Sequence, residues 1–317
     1  MTLPLHLDSV PLAVVTRAGV QDNLYRGSVA VVDDGGAVVT SLGDPRMPAY
    51  LRSSAKVIQA VPVLTSGAAD AFGFDDADVA IIAGSHRGGD DQVAQVRSIL
   101  DKAGLDPSDL KCGDGLVDNC SGKHAGMLAA CRHQGYPVES YLRREHPHQQ
   151  AIEKLVRQVC GLSDERFVVG IDGCGTPIHF FAIRNMALGF ARMSVPENHF
   201  DVPVARALAR ITRAMADHPG GHTGEPDYKG QLGQVRLLTK LGAQGVYCGS
   251  VLGRGLGYAM KVECGSKEPM LPVFTTVLHR LGVIDDAEFE KLREAIWPKV
   301  TNRRGEVVGR IEVLLDE

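Results

Sequence analysis

The spacing of apolar positions divides the chain into a β-type opening, a long helical middle and a mixed C-terminal part. Residues Val10 to Val15 alternate weakly. Ser28 to Val32 and Ala37 to Thr40 are rich in β-branched residues on either side of Asp33-Asp34-Gly35-Gly36, which predicts a hairpin. Helical spacing then takes over. Asp75 to Ala83 reads as a short helix. Asp90 to Ala103 has acidic residues in its first turn, Val93, Val96, Ile99 and Leu100 on one face, and Gly104 as its stop. Further helices are predicted over Lys123 to His133, His148 to Cys160, Ile183 to Met193 and Val202 to Asp217. Phe167 to Ile171 is a short apolar run before a glycine-rich turn. Gln244 to Leu252 and Gly255 to Val262 read as strands joined by Gly253-Arg254. Helices over Met270 to Leu281 and Ala287 to Trp297 follow, then a strand from Val307 to Leu314.

Strands at both ends with helices between them predict an α+β fold. The expected architecture is one domain over residues 1–317. An antiparallel sheet would be built from both chain ends, about 1–50 and 240–317, with a helical lobe over about 54–235. A site would lie in the cleft between sheet and lobe.

The stretch with the clearest chemistry is Arg52-Ser53-Ser54-Ala55-Lys56, at the entry to an apolar segment (Val57, Ile58, Ala60, Val61). If it opens a helix, Ser53 and Lys56 lie on one face about a turn apart. A serine hydroxyl needs a base to become a nucleophile, and a lysine whose pKa is lowered by burial can serve. The pattern alone is common: Ser108-Asp109-Leu110-Lys111 repeats it in a polar setting, where a capping serine beside a surface lysine is the simple explanation.

Other stretches gather reactive residue types. Gly84-Ser85-His86-Arg87-Gly88-Gly89 follows an apolar helix; it is either a surface loop or a device that sets Ser85 or His86 in a cleft. It lacks the Lys-Ser/Thr ending of a phosphate loop. Asn119-Cys120-Ser121-Gly122-Lys123-His124 opens a helix, and Asp172-Gly173-Cys174-Gly175-Thr176-Pro177 is a glycine-rich turn. Two cysteines on tight turns could share a zinc ion or simply be small buried residues. Lys261, near the end of a strand in Gly257-Tyr258-Ala259-Met260-Lys261, faces either solvent or a site.

Composition narrows the classes. Net charge is −4, from 34 Lys+Arg against 38 Asp+Glu, which provides no basic face for nucleic acid. Seven cysteines, an odd number spread over a chain with no export signal, argue against a disulfide framework. A cytoplasmic enzyme is expected.

Taken in order, the stretches around Ser53, Ser85, Cys120, Asp172 and Lys261 resemble the Rhizobium etli-type (class 3) asparaginases of the L-asparaginase II family. The resemblance runs from the opening strand to about Gly265. It implies a serine β-lactamase/glutaminase-like fold and hydrolysis of L-asparagine to aspartate and ammonia. It further implies two Ser–Lys pairs, Ser53 with Lys56 and Ser85 with Lys261. A zinc ion would be held by Cys120, Lys123 and Cys174, with Arg52, His124 and Asp172 lining the substrate site, in a homodimer. Asp22, Asn23 and Tyr25, and the stretch His218-Pro219-Gly220-Gly221-His222, depart from the family's usual pattern.

Two other functions stand beside this one: a serine-dependent glutaminase, and a catalytically silent zinc- or amino-acid-binding protein on the same fold. A β-lactamase or D,D-peptidase is disfavoured because neither Ser-Asp-Asn nor Lys-Thr-Gly occurs.

Overall fold

Strands β1 (Val10–Arg17) and β2 (Val20–Asp33) pair antiparallel, and β2 turns into β3 (Val38–Leu42) where the sequence predicts a hairpin. The turn is closed by the Asp33 carboxylate, which accepts from the Ala37 amide at 2.8 Å. Gly36 sits at φ 98°, a value that suits glycine. The structure is a computed structural model that describes residues 8–163, 167–218, 232 and 235–315.

After β4 (Pro48–Tyr50) the chain forms α1 (Lys56–Gln59), α2 (Val61–Thr65), α3 (Ala68–Ala71), α4 (Asp76–Ala83), α5 (Asp90–Lys102), α6 (Ser121–Gln134) and α7 (Pro147–Val159). Strands β5 (Val168–Ile171) and β6 (Pro177–Ala182) lead to α8 (Ile183–Ser194) and α9 (Val202–Asp217). The remainder is β7 (Leu237–Leu241), β8 (Val246–Val251), β9 (Leu256–Val262), α10 (Met270–Arg280), α11 (Asp286–Ile296), β10 (Val300–Thr301) and β11 (Val307–Val313). Helix ends follow local chemistry. Asp75 caps α4 and Asp78 returns the bond, and Gly135 at φ 68° closes α6.

Strands from both chain ends join in one eight-stranded antiparallel sheet of order β10-β11-β1-β2-β9-β8-β7, with β3 attached to β2. Successive side chains leave opposite faces. Ala30, Val32 and Ala259 join the core of the helical lobe, whereas Val29, Val31, Tyr258 and Met260 pack beneath α10 and α11. Helix α8 lies so close to β9 that a Cβ on Gly257 would come within 1.9 Å of the Ala187 carbonyl oxygen.

Two features differ from expectation. Ser53 does not head an α-helix: Arg52–Ala55 forms a 3-10 turn, and α1 begins at Lys56. A second, three-stranded sheet of order β4-β6-β5 stands beside that turn. Its strands are too short to show an alternating pattern in the sequence. Among the described residues no helix is long and apolar enough to cross a membrane. Of the departing stretch 218–222, residues 219–222 lie outside the described residues.

Candidate active site

Strand β4 delivers the reactive turn. The Leu51 amide donates to the His179 carbonyl at 2.9 Å, in line with the β4–β6 ladder. Arg52 then takes φ 52°, left-handed backbone that a side chain this large adopts only when its surroundings impose it. Its Nη2 lies 3.1 Å from Asp172 Oδ1, on the β5–β6 turn. Its Nε is buried with no hydrogen-bond partner among the described residues.

The neighbouring serines have different fates. Ser54 is buried, and its hydroxyl donates to the Lys240 carbonyl at 2.8 Å. Ser53 is half-buried, and its hydroxyl makes no hydrogen bond among the described residues. Lys56 is 1% exposed, and its Nζ reaches Ser85 Oγ at 2.9 Å and the Asn119 carbonyl oxygen at 2.9 Å. Burial pushes the Lys56 ammonium down to about 8; the Cys120 thiol opposes this, and the charges of Lys240 and Lys123 add to it.

The lysine one turn after Ser53 is therefore hydrogen-bonded to Ser85, and the expected Ser85–Lys261 pair is not formed. Lys261 stands opposite Ser28 and Val246 at the end of β9. Its ammonium turns back onto the Val262 and Glu263 carbonyls of its own chain, which satisfies it locally. Burial lowers its pKa, with Cys264 and Glu263 opposing.

A second cluster adjoins Lys56. Lys123 is 2% exposed, with its Nζ 3.0 Å from Cys174 Sγ and 2.9 Å from Thr176 Oγ1. Cys120 Sγ is 2.9 Å from Asn119 Oδ1. The two thiols act on each other: proximity to Cys120, with His124 and the Lys123 ammonium adding, makes the Cys174 proton leave far more readily than usual, and the Cys120 proton is held more tightly. Burial works against the Lys123 charge, but Cys120 and Cys174 outweigh it and hold its pKa above the usual value. His124 Nδ1 is 2.6 Å from Tyr141 Oη, which accepts from the Lys111 amide at 3.0 Å. The phenol hydrogen then falls to Nδ1, and His124 carries its proton on Nε2, a buried atom with no hydrogen-bond partner among the described residues. Burial lowers the His124 pKa.

A family profile described as L-asparaginase II matches residues 13–313. The chain belongs to the L-asparaginase II family. No individually curated protein matches it. Among solved structures, a β-lactamase from Mycobacterium bovis is 13% identical over 80% of this chain and 93% of its own, with a TM-score of 0.46. A class C β-lactamase from Rhodobacter sphaeroides is 13% identical over 80% and 95%, with a TM-score of 0.43. A penicillin-binding protein homologue from Pyrococcus abyssi, described as octameric, is 13% identical over 81% and 73%, with a TM-score of 0.45.

As an asparaginase-type amidohydrolase, this L-asparaginase II family member brings together Arg52 and Asp172, Lys56 and Ser85, and Cys120, Lys123 and Cys174. Among the described residues, no group of three or more His, Cys, Asp and Glu side chains gathers to hold a metal. The set here has a lysine as its third member. Two thiols and an amine are donors of the type zinc takes; His124 Nε2, which carries the ring hydrogen, has no lone pair to add to them.

Sequence reading passed over Lys240. It is 1% exposed at the end of β7, and its charge depresses Lys56. Two residues on, Gly242 lets β7 close against the reactive turn: a Cβ there would meet Leu51 O and Ser54 Oγ at 3.2 Å each. Lys240-Leu241-Gly242 differs by one residue from the Lys-Thr-Gly box whose absence counted against a penicillin-recognising enzyme. That near-match was the available signal.

Proposed function

We propose that the chain is an L-asparaginase of the Rhizobium etli-type class, hydrolysing L-asparagine to L-aspartate and ammonia through a serine acyl-enzyme. One observation carries this reading: a buried lysine held 2.9 Å from Ser85 Oγ, one turn after Ser53, whose hydroxyl has no hydrogen bond among the described residues. A Lys56 whose pKa is pushed to about 8 is neutral often enough near neutrality to accept a proton.

In this mechanism Ser53 attacks the side-chain amide carbon, and its proton passes through Ser85 to Lys56. The proton then goes to the departing nitrogen, which leaves as ammonia. Water attacks the resulting β-aspartyl ester, giving a proton to Lys56, which returns it through Ser85 to the departing Ser53 oxygen, so that both the serine and the neutral lysine are restored. The Arg52 guanidinium receives the substrate's α-carboxylate, which supplies the missing partner of Nε, and Asp172 receives the α-ammonium.

Cys120, Lys123 and Cys174 would hold one zinc ion. When bound, zinc would supply a fixed positive charge that orients the polar groups around it. The working unit is taken to be a cytoplasmic homodimer, which light scattering of the purified protein checks.

The test is ammonia release. L-Asparagine should be turned over much faster than L-glutamine, because one extra methylene moves the amide carbon off the nucleophile. Equal rates would make the protein a glutaminase. Release from neither would favour the silent binding protein. Elemental analysis should find one zinc per chain, lost in Cys120→Ala; no zinc in the wild type would remove it from the proposal.

A further inference from the structure

Among the groups that do not enter the proposed chemistry is the buried imidazole next to Ser85, whose two ring nitrogens both have partners. His86 is 2% exposed. Its Nδ1 accepts from the Gly88 amide at 3.1 Å, so its proton is on Nε2. Nε2–H then donates to Ser121 Oγ at 2.7 Å, and Ser121 donates to the Leu116 carbonyl at 2.9 Å. Every hydrogen in this chain of bonds has one acceptor, and the order cannot be reversed because an amide N–H fixes one end.

The ring therefore joins two segments. One is the loop that leaves α4 at Gly84; the other is the turn from Leu116 to Ser121 that opens α6. The backbone strengthens the join, since the His86 amide donates to Asn119 O at 3.3 Å. That carbonyl also receives Lys56 Nζ. The packing leaves little slack. A Cβ on Gly88 would meet Val117 O at 2.8 Å, and one on Gly122 would meet Ile81 O at 2.5 Å. Ser85 and the carbonyl that orients Lys56 thus sit on opposite sides of one seam, and the imidazole crosses it.

We propose that His86 is a positioning residue for the hydrolysis: by bridging the Ser85 loop to the start of α6 through Ser121, it sets Ser85 Oγ within reach of Lys56. This deepens the function proposed above and rests on the Ser85–Lys56 contact being used in turnover. His86 neither touches substrate nor exchanges a proton. A neutral ring is required, because a second proton on Nδ1 would face the Gly88 N–H.

The test compares full-length wild type with His86→Ala, His86→Gln, Ser121→Ala and the His86→Ala/Ser121→Ala double variant. Thermal melts accompany kcat and KM for L-asparagine. His86→Ala should lower kcat by ~10²-fold, the size expected for an ångström of misplacement, with KM changed less than about twofold. His86→Gln should regain most of the loss, because its amide nitrogen reaches about as far as Nε2. Ser121→Ala should also slow kcat, and the double variant should be no worse than His86→Ala, because both cut one connection. Wild-type kcat in His86→Ala, or equal losses in folded Ala and Gln variants, would overturn the proposal. If His86→Ala does not fold, Ser121→Ala with wild-type kcat overturns it instead. Should the wild type hydrolyse no amide, the functional reading fails and positioning is judged by crystallography. Ser85 Oγ is then expected to leave Lys56 in His86→Gln bearing Ser121→Ala, and an unchanged contact counts against His86.

Discussion

Lys56 Nζ stands 2.9 Å from Ser85 Oγ, a residue 29 positions away, while the hydroxyl of Ser53, three positions before it, makes no hydrogen bond among the described residues. In the proposed mechanism the two serines act in series with one base rather than paired with separate lysines. Lys56→Ala and Ser85→Ala should each reduce kcat by roughly 10³-fold or more, within the range for loss of a positioned proton acceptor. The double variant should be little slower than either single one, since the residues act as a unit. Lys261→Ala should retain near-normal kcat, because its ammonium is bound to its own strand's carbonyls. Steady-state ammonia release measures all four. A collapse in Lys261→Ala would restore the lysine that the family resemblance implied.

The working pH follows from Lys56. Burial and neighbouring ammonium groups bring it down to about 8. The base must be neutral, so the competent fraction falls about tenfold for each unit below that value. A plot of log kcat/KM against pH should rise with unit slope and level off above about 8. A flat profile between pH 6 and 9 would rule out Lys56 as the base.

How much of this was legible follows from particular residues. The hairpin at Asp33–Gly36 and the helix at Val202–Asp217 rest on local chemistry that the sequence states directly. The approach of Lys56 to Ser85 does not, because it depends on how the end of α4 packs against α6, where Gly122 and Gly126 let the helices touch. Lys240 was missed for the same reason. Its only local mark is the near-match Lys240-Leu241-Gly242, and its proximity comes from β7 closing over the turn at Ser54. Lys261 was named by the family resemblance alone, since its strand left solvent and site equally open and register cannot show which way a long side chain folds back. The left-handed Arg52 had no sequence signal, since no glycine or asparagine occupies that position.

Acid should unfold the protein through buried imidazoles away from the site. His148 and His179 are each 1% exposed, and neither ring nitrogen of either has a hydrogen-bond partner among the described residues. Burial pushes both down to about 4. In the unfolded chain they take up protons near 6.5. Between those values the unfolded state binds more protons, so stability falls as pH drops from about 6.5 to about 4 and is insensitive to these groups above 6.5. Urea midpoints at pH 7 and pH 5 should differ markedly in the wild type. The difference should shrink in a variant such as His179→Phe, where the added ring would lie beside Phe167. An unchanged difference would mean that other groups govern the acid limb.

Arg52 combines a backbone conformation with a side-chain function, and substitution can separate them. Its φ of 52° costs an alanine about as much as an arginine, whereas glycine adopts it freely. Arg52→Gly should therefore be more stable than Arg52→Ala by ~1 kcal/mol. Both remove the guanidinium that faces Asp172 at 3.1 Å. If that group receives the substrate's α-carboxylate, both variants should raise KM for L-asparagine by at least ~10-fold, the loss of one charge-assisted hydrogen bond. Arg52→Lys keeps the charge but not the paired donors, and should fall between them and the wild type. Thermal melts separate the stability effect, and KM for L-asparagine separates the binding effect. If all three variants lose stability equally, the backbone is not strained at this position. If Arg52→Gly binds asparagine normally, the carboxylate goes elsewhere, and the unpartnered Nε has another explanation.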